Sequence, residues 1–179
     1  MAESKINQPL TLSDEDKGAL DTCINFLAGI GIKTVFNNIP ESTFLPGLSI
    51  ENGCIIIDIE KLRYPGDILH EAGHIAIVPA VDRTSLNAGS IATRQHNEAE
   101  EMMTIAWSYA ACIHLGLHPN FVFHDEGYKG GGSYIADNFA EKKYFGLPML
   151  QWKGMALDET NAALQNRPAY PYMLKWMLD

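Results

Sequence analysis

A chain of 179 residues with 46% apolar and 20% charged residues has an ordinary globular composition, and it is most simply one domain over residues 1–179. The formal net charge of −9, with 13 Lys plus Arg scattered along the chain, argues against nucleic acid as a partner. No apolar run approaches the roughly 18 residues of a membrane span, and the start, MAESKINQPL, lacks the basic flank and apolar run of a secretory leader. The expectation is a cytoplasmic protein with no membrane partner; its oligomeric state is left open.

In chain order, residues 13–30 read as a first helix. Ser13 caps it, Asp14, Glu15 and Asp16 suit its positive end, and Leu20, Ile24 and Leu27 recur on one face before Gly29 and Gly31 stop it. Three β-rich runs follow at 32–36, 48–50 and 54–59. The Asn52-Gly53 step between the last two predicts a hairpin. Pro65, Gly66 and Asp67 then start a helix over 68–78 that Pro79 ends. A polar loop over 82–95 leads to a second long helix, 97–115, closed by Gly116, with Met102, Ile105, Ala106, Tyr109 and Ile113 as its apolar stripe. The stretch GYKGGGS over 127–133 reads as a flexible surface loop, since it lacks the Lys-Ser/Thr of a phosphate loop. A shorter helix is expected over 134–144. The final third, rich in Pro, Trp, Met and Tyr, is expected to be irregular chain and short helices, its AYPYMLKWML segment either strapping the core or meeting a second copy.

Cys23, Cys54 and Cys112 are odd in number, widely spaced and set in apolar surroundings, which predicts reduced thiols rather than a disulfide frame or metal knuckle. The chemistry concentrates elsewhere, in ILHEAGHIAI over 68–77. Residues four apart on a helix share a face, so His70 and His74 can direct both rings at one point, with Glu71 beside them. Two neutral imidazoles at that spacing can hold a zinc ion, Zn2+, leaving room for a third protein ligand and a water, and the adjacent carboxylate is placed to take that water's proton. The bland alternative is a pair of core histidines satisfied by nearby carboxylates. Against it, burying two imidazoles and a carboxylate without strong partners costs several kcal/mol.

His70-Glu71-Ala72-Gly73-His74 resembles the HExxH helix of the zinc metallopeptidases called zincins. Its HExGH form is similar to small bacterial members of the ImmA and IrrE type, and the order of a hairpin, the motif helix and a second long helix matches as well. The resemblance covers about residues 54–115. It implies an α+β zincin-like fold with a small sheet or hairpin, cleavage of a peptide or related amide bond in a peptide or protein substrate, and Glu71 as general base. In the glutamate-liganded branch, the gluzincins, the third ligand comes from the second helix. The metzincin branch would need a third histidine at position 80, where Ala80 stands.

Asn97-Glu98-Ala99 resembles the start of that second helix in thermolysin-like enzymes, which makes Glu98 the first choice of ligand. Glu101, three residues on, is the second, while Glu100 reads as a solvated charge. The aspartate that the family often places four residues after the ligand is missing, since Met102 and Ile105 stand there. An oxyanion donor usually follows the second helix in zincins, and His124 and Tyr128 are the catalytic candidates for it. A non-catalytic or regulatory metal-binding module that keeps the HExxH site is the alternative function.

Overall fold

The computed structural model describes residues 12–40 and 43–179; the MAESKINQPL start, on which the absence of a leader was read, lies outside them. The described residues form an α+β structure of eight helices around a small three-stranded sheet. Helix α1, Asp14–Gly29, starts where Ser13 accepts a 3.0 Å hydrogen bond from the Asp16 amide, and it buries Leu20, Cys23 and Leu27. Strands β1 (Thr34–Phe36), β2 (Leu48–Glu51) and β3 (Cys54–Ile57) follow, in the order β1-β3-β2.

The β2–β3 pair is the expected hairpin, antiparallel with Ile50 opposite Ile55. Its turn residues Asn52 and Gly53 both have positive φ, 50° and 70°, which suits the twist of the flanking strands. β1 lies parallel to β3 on the other side, Val35 opposite Ile56. The central strand is shorter than its sequence suggests. Asp58 does not continue it, because its carboxylate turns to accept the Ile39 amide at 3.0 Å. Ile55, Ile56 and Ile57 are all buried, each contributing about 1.5–3 kcal/mol of side-chain burial.

Helix α2, Asp67–Ala76, carries the motif; α3 (Ala80–Arg83) runs into the start of the segment expected to be a polar loop, and α4 (Ala88–Ala92) lies within it. α4 rests on a capping box in which Asn87 accepts from the Ser90 amide and Ser90 accepts from the Asn87 amide, both at 2.9 Å. Helix α5, Asn97–His114, runs through the middle of the core. Every residue from Met103 to Cys112 is buried, so it is apolar nearly all round, and Met102 and Ile113 from the expected stripe face outward, 39% and 40% exposed. Helix α6 (Gly132–Ala140) begins inside the glycine-rich stretch, and α7 (Leu147–Trp152) and α8 (Glu159–Gln165) complete the set. Residues 170–178 strap the core. The Tyr170 hydroxyl donates to the Ala106 carbonyl at 2.8 Å, the Trp107 indole donates to the Trp176 carbonyl at 2.9 Å, and the Leu178 amide donates to the Ala76 carbonyl at 2.8 Å.

The contact that places the site is the seam between α2 and α5. A Cβ on Gly73 would lie 2.9 Å from Thr104 Cγ2 and 3.2 Å from the Thr104 carbonyl. Glycine at this point lets the helices approach closely. The buried Ser108 hydroxyl lies across the same seam, 3.3 Å from the Leu69 carbonyl and 2.7 Å from that of Thr104. Gly73→Ala gains up to about 1 kcal/mol of helix propensity but overpacks the seam at about 1–3 kcal/mol. Urea unfolding is expected to show a net loss of up to about 2 kcal/mol, with Gly73→Val lower still; an alanine variant more stable than the parent would contradict this reading of the seam.

Candidate metal centre

Gly66 starts α2 where the chain passes too close to the Phe121 backbone for any side chain, and Asp67 places a carboxylate in the first turn, at the positive end of the helix dipole. One turn on, His70 and His74 project from the same face. Their Nε2 atoms lie 3.2 Å apart, with ring planes crossing at 84°. From α5, Glu101 brings one carboxylate oxygen to 3.5 Å from His70 Nε2 and the other to 3.4 Å from His74 Nε2. The three residues form a group that could hold a metal ion, with all donor atoms within 4.8 Å of one another.

The spacing is compatible with a shared ion. A tetrahedral ion with bonds of about 2.0–2.1 Å needs its donors about 3.3–3.4 Å apart. Here the two Nε2 atoms are 3.2 Å apart, and each meets its own Glu101 oxygen, Oε1 at 3.5 Å from His70 and Oε2 at 3.4 Å from His74. A charge-assisted hydrogen bond from an imidazolium to a carboxylate would be about 2.7–2.9 Å, shorter than either Glu101 contact. Protonation points the same way. Burial pulls His70 down to about 4 and His74 to about 3, His70 lowering His74 further while Glu101 partly opposes this, so both rings are neutral at physiological pH. Neutral imidazoles offer ligand lone pairs; they are not cations for Glu101.

The far nitrogen of each ring meets a hydroxyl. His74 Nδ1 is 3.3 Å from Thr104 Oγ1, and His70 Nδ1 is 3.1 Å from Tyr128 Oη. Hydroxyls in these places can orient the rings without adding charge. Thr104 follows Glu101 by three residues, so one stretch of α5 supplies both the carboxylate and the hydroxyl that steadies a histidine.

Glu71, part-buried beside His70, lines the same cleft as the triad. Burial, and then the negative charges of Asp67 and Glu101, push its carboxyl up to about 8. A cation between the histidines would reverse much of that shift. The cleft holds about 600 Å³ and is mostly apolar, with Phe44, Leu45, Ala88, Ile91 and Ala92 in its walls.

The structure places His70, Glu71, His74 and Tyr128 along one cleft, with Tyr128, expected as an oxyanion donor, on His70, and it separates the two glutamates. Glu98 also lines the cleft but lies outside the donor group; the carboxylate at the two histidines is that of Glu101. Glu100 is not a free solvated charge, since Arg94 donates to both of its oxygens at 2.8 and 3.1 Å. The Tyr128 hydroxyl is engaged with His70, and burial with the surrounding carboxylates raises its pKa well above the ordinary value, so it stays protonated. His124 does not line the cleft; it bonds Asp67 at 2.8 Å. Thr104 and Asp67 were not among the candidates. A threonine three residues beyond the glutamate, on a buried helix face, was the available signal for the first.

No described helix is long and apolar enough to cross a membrane. No family model matches the chain, and neither a curated protein nor a solved structure matches it. The likeness to HExxH enzymes therefore rests on the motif residues and the geometry they adopt.

Proposed function

We propose that the protein is a zinc-dependent hydrolase of peptide or related amide bonds. The observation that supports this best is the meeting of His70, His74 and Glu101, one ligand atom from each within 4.8 Å of the others, with the Glu71 carboxyl in the same cleft. The two imidazoles and the Glu101 carboxylate would hold the ion, Thr104 and Tyr128 keeping the rings in place. When bound, zinc supplies a Lewis acid that makes water more acidic and polarises a carbonyl. Glu71 accepts the proton of the attacking water and returns it to the departing amine nitrogen. The apolar side chains of Phe44, Leu45 and Ile91 along the cleft receive an apolar portion of the substrate.

A second reading is favoured by one specific observation. Neither candidate oxyanion donor is free, since Tyr128 is bound to His70 and His124 to Asp67. A metal-binding module without turnover fits that arrangement. Elemental analysis of protein purified without added metal is expected to find about one zinc per chain under either reading, and none in His74→Ala. Absence of bound metal from the parent protein would refute both. Hydrolysis of amide substrates that stops on chelation and returns with zinc would distinguish the enzyme from the module.

A further inference from the structure

The glycine-rich segment after α5 is wrapped around His124. The His124 ring is stacked on Tyr64 with centroids 3.9 Å apart and planes 16° from parallel. Its Nε2 lies 2.8 Å from Asp67 Oδ1, and its Nδ1 accepts the Gly127 amide at 3.1 Å. In the neutral ring that second bond places the proton on Nε2, which then donates to the Asp67 carboxylate. A Cβ on Gly127 would lie 2.8 Å from His124 Cε1, and one on Gly132 would lie 2.7 Å from the His124 carbonyl oxygen. These glycines mark a lack of room for side chains.

The same turn carries Tyr128. Asp125 organises it, its carbonyl accepting the Tyr128 amide at 3.3 Å and the Gly130 amide at 2.8 Å, while its carboxylate accepts the Ser133 amide at 3.3 Å. Asp67 and His70 lie three residues apart on α2, on one side of the helix. The loop is thus tied to that side at two points, by His124 at Asp67 and by Tyr128 at His70.

We infer that His124 is a positioning residue for the metal centre: by anchoring the 124–128 turn to Asp67 it holds the Tyr128 hydroxyl on His70 Nδ1 and so fixes the orientation of that imidazole. This rests on the metal reading of the His70, His74 and Glu101 group. His124 lies outside the donor group and does not itself line the cleft, although its partner Asp67 does; the link to the His70 imidazole runs through the turn and Tyr128.

A double-mutant cycle tests the inference, with zinc affinity measured by competition against a chromophoric chelator. His124→Ala and Tyr128→Phe are each expected to weaken zinc binding by about ten- to a hundred-fold, the range for partners that orient a ligand. The double variant should bind within about threefold of the weaker single. Multiplied losses, or unchanged affinity in His124→Ala, would overturn the inference. His124→Gln keeps a donor for Asp67 and should recover part of the affinity; if the alanine protein does not fold, the glutamine variant takes its place in the cycle. A second readout needs no metal. In the imidazole nitrogen spectrum of the metal-free protein, His124 is expected as the Nε2–H tautomer, and the His70 Nδ1 resonance should shift alike in the His124 and Tyr128 variants. A His70 resonance indifferent to His124 would overturn the positioning role. A parent protein that binds no zinc would instead refute the proposed function, leaving the nitrogen spectrum to decide the latch by itself.

Discussion

Glu71→Gln is expected to keep the metal and to lose amide hydrolysis by about 10²–10⁴-fold, the range for removing a general base. The amide matches the carboxyl in size, so the cleft and the neighbouring His70 keep their shape. It also matches in charge. With its carboxyl pushed up to about 8 in the metal-free protein, Glu71 is largely neutral at pH 7, and a neutral glutamine should cost little stability. Metal content by elemental analysis and single-turnover hydrolysis of an amide substrate check the two halves of this expectation. Unchanged turnover would remove Glu71 from the base role, whereas metal loss would mean that it helps to hold the ion.

The second large effect separates the glutamates. Glu101→Ala is expected to weaken zinc binding by more than about 100-fold, beyond the usual cost of losing an orienting partner. Glu98→Ala should change it by less than about threefold, because Glu98 lines the cleft without joining the donor group. The two affinities can be measured by the same chelator competition. The opposite ranking would transfer the third ligand to Glu98 and require α5 to shift along α2.

Why the sequence favoured Glu98 is a matter of register. The helices α1, α2 and α5 are each legible alone, from the Ser13 cap and acidic first turn of α1 to the four-residue histidine spacing on α2. How far α5 slides along α2 is a tertiary fact, set where Gly73 meets Thr104 and where Ser108 reaches Leu69. That contact brings Glu101, one turn before Thr104, level with both histidines. A resemblance based on Asn97-Glu98-Ala99 carries the start of the helix but not its depth of insertion. The orienting hydroxyls were hidden for a related reason: a motif that expects a carboxylate does not find Thr104, and no local pattern brings Tyr128 across from another segment.

Two local misreadings have physical causes. The segment over 82–95 is polar enough to suggest a loop, yet the Asn87/Ser90 capping box satisfies enough terminal amides to hold α4, a helix too short for periodicity to reveal. Glycines over 127–133 suggested freedom of movement, whereas at Gly127 and Gly132 they accommodate the crowded backbone around His124. In a single sequence, glycine chosen for flexibility and glycine chosen for tightness look the same.

The close approach at Gly73 also bears on how the protein would acquire its ion. α2 and α5 are held against each other by buried apolar side chains and by the Ser108 hydroxyl, none of which depends on a cation. The helices that carry the three residues are thus placed without a cation, and metal uptake would require little rearrangement of either. Unlike a zinc finger, whose folding is driven by its metal, this chain would survive chelation with its architecture intact and refill an existing socket.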